Sequence, residues 1–254
     1  MAKPVSVIRD EFNIANFEKR KELSVMYADD KRKGVQQLIV KFKHEEEKLN
    51  AELKRLEAMK VFEKKYSSYK LIAGIDEAGR GPLAGPVVAG AVILPRECKI
   101  LYLNDSKKLS ALKRNELFDE IKEKAVAYGV GIISPEMIDE INILQATLEA
   151  MREAIKNMGI EPDMLLVDAL TIPKIPYKQV GIVKGDARSV SIAAASIIAK
   201  VTRDRIMEDM DSIYPEYGFA SHKGYGSKAH IEAIKKYGPC PIHRRTFIKN
   251  FVNV

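Results

Sequence analysis

Hydrophobic and polar positions alternate in two different ways along this chain. Up to residue 70, single apolar positions are spaced among charges, as in KHEEEKLNAELKRLEAMKVFEKK (43–65), and Gly34 is the one glycine. Leu49, Leu53 and Leu56 recur at helical spacing with Glu and Lys between them, which predicts an amphipathic helix over much of 35–65. A first helix is expected near 6–23, with Asp29 and Asp30 available to cap the second. From Tyr69 onward the apolar residues come in runs. LIAGID, PVVAGAVIL, VAYGVGIIS, MLLVDA and KQVGIVK read as five buried or half-buried strands. Between the second and third lies SALKRNELFDEIKEK, a helix with Ser110 as its N-cap. ILQATLEAMREAIKNMG reads as another helix, closed by Gly159. SVSIAAASIIAKVTRDRIMEDM is a long helix whose first half is nearly all small or apolar, so it must lie against the sheet. The proline-rich TIPKIPYKQ predicts a loop. The expectation is an α/β domain at 69–254, a five-stranded mixed sheet flanked by helices with a C-terminal helical segment, behind a helical N-terminal extension at 1–68.

Composition narrows the class without naming a chemistry. The 254 residues are 46% hydrophobic and 30% charged, ample for a globular core. No apolar run approaches the ~20 residues of a membrane span. Residues 1–24 lack the apolar stretch of a signal peptide, so a cytoplasmic protein with no membrane association is expected. Cys98 and Cys240 stand apart, and the four histidines show no ligand spacing, which argues against disulfide, thiolate-zinc or histidine metal sites. The net charge of +7 is uneven: +5 over 1–70, −2 over 71–199 and +4 over 200–254. Basic ends around an acidic middle suit a polyanion binder that holds cations centrally, although plain solubility charge has the same signature.

That acidic middle repeats one placement. Asp76 and Glu77 end the first apolar strand, Asp168 ends MLLVD, and Asp186 follows IVKG. Carboxylates at strand ends can converge above a sheet edge, where they would repel one another unless divalent cations were present. Oxygen ligands alone select Mg²⁺ or Mn²⁺, and two such ions suit displacement at phosphorus. For Asp186 an N-capping role on the following helix competes with a site role. After the first acid pair, Gly79-Arg80-Gly81 offers backbone free of Cβ atoms for close approach to a sugar or phosphate, and Arg80 offers a forked cation. GRGPLAG could also be a phosphate loop, but it runs into a strand rather than a helix.

GIDEAGRGPLAGPVVAGAVIL, NDSKKLS, LLVDA, VKGDARSVSIAAASIIAKVTRD and HKGYGSKAH, in this order, resemble bacterial ribonuclease HII, over roughly residues 70–247. That resemblance implies an RNase H-like fold and an endonuclease that cuts the RNA strand of RNA–DNA hybrids. It further implies incision on the 5′ side of single ribonucleotides in duplex DNA, leaving 5′-phosphate and 3′-hydroxyl ends. The catalytic and metal-holding residues it implies are Asp76, Glu77, Asp168 and Asp186, around two Mg²⁺ or Mn²⁺ ions. Gly79, Arg80 and Gly81 would sense the ribose 2′-hydroxyl, Tyr225 would pack on the neighbouring sugar, and Ser106, Lys107 and Lys108 would meet phosphate. Lys184 and Arg188 flank Asp186 within reach of phosphates. The expected partners are RNA–DNA hybrid and ribonucleotide-containing duplex, with no obligate protein partner.

Overall fold

The computed structural model describes residues 3–250 and residue 252. It divides into two compact units, one through Arg55 and one from Leu56 onward.

In the N-terminal unit the expected first helix is two, α1 (Val5–Ile14) and α2 (Phe17–Met26). The chain breaks at Asn16, whose side chain accepts from the Lys19 N–H and starts α2 afresh. Hydrophobic spacing carries through the break, so periodicity alone missed it. Asp30 accepts from the Arg32 N–H just ahead of α3 (Lys33–Met59). Ile8, Phe12, Leu23, Val35, Ile39 and Phe42 form a small core of their own.

In the second unit, the end of α3 and α4 (Val61–Lys65) lead into the sheet. Leu56 and Met59 are buried in the cluster formed with α5 (Ala111–Lys124) and α7 (Val190–Ile213). The strands are β1 (Ile72–Ala78), β2 (Val87–Ile93), β3 (Ala127–Ile133), β4 (Met164–Asp168) and β5 (Lys178–Ile182). Their order is β3-β2-β1-β4-β5, antiparallel on the β3-β2-β1 side and parallel from β1 through β4 to β5. One face, with Ala73, Ile75, Val87, Ala89 and Ala91, packs on α6 (Pro135–Asn157). The other face packs on α7. There a Cβ on Gly74 would lie 2.0 Å from the Ser191 carbonyl carbon, and one on Gly90 would lie 2.4 Å from the Ala195 oxygen. The α7 backbone therefore rests directly on the strands, which explains its run of Ala and Ser.

Helix α6 starts before the predicted Ile143. Asn142 breaks it with φ 66°, and its side chain caps the Leu144 and Gln145 N–H groups, so the predicted helix is the second part of a kinked pair. Ser110 caps α5 as expected. Beyond α7, the helices α8 (Phe219–His222), α9 (Lys228–Tyr237) and α10 (Arg245–Ile248) enclose Met207, Tyr217, Phe219, Ile234 and Cys240.

Candidate active site

Strand topology brings the acids together. Because β1 and β4 are parallel neighbours with Ile75 opposite Val167, Asp76 and Asp168 occupy matching positions one residue on. Asp186 sits in a 3-10 turn (Gly185–Ala187) separated from the end of β5 by Val183 and Lys184. The Gly185 N–H donates to Asp168 Oδ1 at 2.7 Å, tying that turn to the β4 end. Ser189, not Asp186, caps α7 by accepting from the Ile192 N–H, so the capping role considered for Asp186 is filled by another residue.

The chain's own cations do little to neutralise these carboxylates. Asp76 is 5% exposed, and burial, then the charges of Glu77 and Asp168, push its carboxyl well above the ordinary range. The Glu77 carboxyl is raised by burial and by Asp168, against the pull of Arg80. Burial raises Asp186, and Asp105 and Asp168 add to that. Arg80 reaches only one Glu77 oxygen, at 3.5 Å, and the other, Oε2, is buried without a partner. Among the described residues no three His, Cys, Asp or Glu side chains already close around one point as an ion cage. An orphaned buried carboxylate oxygen among mutually repelling acids nevertheless fits hard divalent cations.

Ser106 is buried, and its hydroxyl and that of Ser196 on α7 are 3.0 Å apart. The nearby Ser196 hydroxyl and the Glu77 N–H partly offset the upward push on the Asp76 carboxyl. Burial disfavours the Lys107 ammonium, but Asp105, Asp76 and Asp186 outweigh it and raise its pKa. Lys108 shares the turn but is exposed and makes no hydrogen bond or ion pair to the acids among the described residues. Lys184 is exposed with φ 56°. Arg188 is also exposed; it lies over the Phe62 ring and donates to the Val183 carbonyl, not to an acid. Sequence reading missed Asp105 and Ser196, whose neighbours in space come from distant segments.

The glycines of the loop divide their work. Gly79 has φ +95°, and a Cβ there would lie 2.1 Å from Arg203 Nε, so its bareness makes room for a guanidinium beneath the loop. At Gly81 a Cβ would meet only Tyr225 Cε1, at 3.9 Å, so this glycine leaves the outer face open. Tyr225 is 43% exposed, with Lys200 and Arg203 near its ring. Beside it a cleft of about 410 Å³ is lined by Arg114, Lys200, Arg205 and Lys223, which outnumber Asp204 and Glu208, the acids that pair with three of them. A second cavity, about 260 Å³, lies by α4 and the start of α7 and touches none of the four acids.

Three of the four histidines are structural neighbours. Tyr225 O can only accept, so His230 Nδ1 donates to it at 2.9 Å. In the neutral ring His230 Nε2 then accepts from His243 Nε2 at 3.0 Å, and His243 Nδ1 accepts from the Cys240 N–H. Burial holds both rings neutral, with pKa values pulled down to about 4. His222 stacks on His230. This cluster braces the main chain at Tyr225.

A family model described as Ribonuclease HII matches residues 73–250, and one described as Ribonuclease HII N-terminal domain matches residues 4–67. Similar curated proteins include Ribonuclease HII of Lachnoclostridium phytofermentans, 59% identical over 227 residues, covering 89% of each chain. Ribonuclease HII of Clostridioides difficile is 53% identical over 252 residues, covering 98% of this chain and 99% of that one. Among solved structures, ribonuclease H2 from Pyrococcus horikoshii is similar with a TM-score of 0.57 and 34% identity, over 69% of this chain and 93% of that one.

Proposed function

Because the chain belongs to the ribonuclease HII family, a family of endonucleases, we propose that it cleaves the RNA strand of RNA–DNA hybrids and incises duplex DNA 5′ of a single embedded ribonucleotide. The observation that carries this reading is the adjacency of two features. Uncompensated acids at the ends of parallel strands lie beside a bare loop against which an exposed tyrosine rests.

Asp76, Glu77, Asp168 and Asp186 would hold two Mg²⁺ or Mn²⁺ ions, which supply activation of water and stabilisation of the leaving 3′ oxygen. Around them the protein's own groups prepare the site. The Glu77 N–H holds Asp76 in place, and the Gly185 N–H holds Asp168. Lys107 stands at the acids as a cation for a phosphate, and Ser106 is fixed behind it. Gly79, Arg80 and Gly81 face the ribose, since a 2′-hydroxyl is what separates RNA from DNA, and Tyr225 packs on the adjacent sugar. The basic cleft beside Tyr225 suits the continuing phosphate backbone. The residues through 68 serve as an appendage that adds affinity for duplex.

Incubating the protein with a duplex containing one ribonucleotide, with Mg²⁺ or Mn²⁺, and mapping the cut tests the reading. One incision 5′ of the ribonucleotide, ending in a 3′-hydroxyl, is expected. Equal cutting of the all-deoxy duplex, or no cutting with either metal, would refute it.

A further inference from the structure

Arg203 and Arg244 are fully buried, a costly place for a charge. Their seven hydrogen bonds all end on backbone carbonyls and none on a carboxylate. Arg244 donates from Nε to Gly85 O at 2.9 Å and from Nη1 to Arg80 O at 3.0 Å. Its Nη2 reaches Gly79 O at 2.6 Å and Pro86 O at 3.2 Å. Arg203 donates to Pro86 O, Ala84 O and Lys223 O at 2.9–3.0 Å. Six of the seven contacts therefore fall on the one stretch from Gly79 to Pro86, and the seventh falls on the Tyr225 loop.

The direction of these bonds matters more than their number. No peptide bond among the described residues is cis, and in a trans peptide the C=O and the following N–H point to opposite sides. Turning the Gly79 carbonyl inward to Arg244 turns the Arg80 N–H outward. Turning the Arg80 carbonyl inward does the same for the Gly81 N–H. Neither N–H has an acceptor among the described residues, and both residues are exposed.

We propose that Arg244 and Arg203 are positioning residues for substrate recognition: from beneath the loop they fix its carbonyls inward, so that the Arg80 and Gly81 N–H groups stand preorganised to donate to a ribose oxygen. This rests on the reading that the loop senses the 2′-hydroxyl. A planar guanidinium with five donors can serve this fan of carbonyls; the compact ammonium of lysine cannot. Preorganisation removes the ordering cost that a mobile loop would charge against binding.

The test measures binding in an Asp76→Asn background, where cleavage does not interfere. The affinities for a duplex with one ribonucleotide and for its all-deoxy counterpart are compared as a ratio. Arg244→Lys is expected to reduce the preference for the ribonucleotide about tenfold, the worth of one to two hydrogen bonds. All-deoxy affinity should be retained. A general folding defect lowers both affinities or the active fraction and leaves the ratio alone. Gly81→Val, measured in parallel, separates the two ideas. If it leaves the preference intact, the loop is not the sensor. If it abolishes the preference while Arg244→Lys and Arg203→Lys do not, the positioning role is overturned. Should the lysine variants not fold, the unsubstituted protein still decides by NMR. Slowly exchanging Arg203 and Arg244 Nε–H signals that shift with the ribonucleotide duplex but not with the all-deoxy duplex support the proposal. Exchange as fast as that of exposed arginines, or identical shifts with both duplexes, overturns it.

Discussion

Replacing Asp76 by Asn should make the metal-free protein more stable while abolishing its cleavage. Asp76 is 5% exposed and stands on the strand next to Asp168. Neighbouring strands lie about 4.8 Å apart, and two unit charges 5–7 Å apart at an effective dielectric near 20 repel by about 2–3 kcal/mol. Asn removes that repulsion, yet its oxygen can still accept from the Glu77 N–H. In a chain of 254 residues each kcal/mol moves Tm by roughly 2–4 °C, so a rise of about 4–12 °C is the ceiling. The sign with pH follows from the raised carboxyl. The folded protein binds more protons at Asp76 than the unfolded chain does, so the native protein loses stability as pH rises above the ordinary value of 3.8. The advantage of the Asp76→Asn variant should therefore grow toward alkaline pH. Thermal unfolding at pH 8 in chelator measures it, and repetition with Mn²⁺ should raise the native Tm far more than that of the variant. If Asp76→Asn is no more stable than the native protein in chelator, the acids are not held against their mutual repulsion and the electrostatic account of the site fails.

Three further outcomes are expected. Tyr225→Ala should slow incision at a single embedded ribonucleotide by roughly the 1–3 kcal/mol an aromatic contact with nucleic acid contributes; an unchanged rate on that substrate counts against its packing on the sugar. His230 and His243, with pKa values near 4 when folded and an ordinary value of 6.5, leave the unfolded chain binding more protons between those limits. Stability should then fall by up to about 1.4 kcal/mol per pH unit per histidine as pH drops through that window, and a His230→Gln/His243→Gln pair showing the native slope in denaturant titrations would contradict this. A chain beginning at Leu56 should bind duplex more weakly and with a shallower salt dependence than the full chain; identical affinity and slope would remove the N-terminal unit from substrate binding.

Strands β1 to β5 were legible because their apolar runs are short, bounded by turns, and in β1, β2 and β4 buried on both faces. Their acids were legible as a group because Asp76, Glu77 and Asp168 close such runs and Asp186 follows shortly after one. The break at Asn16 and the kink at Asn142 were not, since both depend on a side-chain cap that hydrophobic spacing does not register. Asp105 and Ser196 reach the acids only through tertiary packing, from segments that look like an ordinary turn and an ordinary apolar helix. Gly79 shows a different limit. Its sequence context pointed to ligand approach, whereas the space a Cβ would fill is taken by Arg203, and no local pattern announces a partner 124 positions away.

Helix α7 touches the site twice. Ser196 lies near Asp76, and Arg203, seven residues on, donates to carbonyls of the Gly79–Pro86 stretch. Seven residues are close to two helical turns, about 10.5 Å along the axis, and put both side chains on nearly the same side. With its backbone resting on Gly74 and Gly90, the helix has no slack with which to slide. On the proposed reading it acts as a ruler, setting the interval between where a strand would be read and where it would be cut. One residue inserted between Ser196 and Arg203 would turn one side chain about 100° from the other, so that a single helix could no longer serve the acids and the Gly79–Pro86 stretch at once.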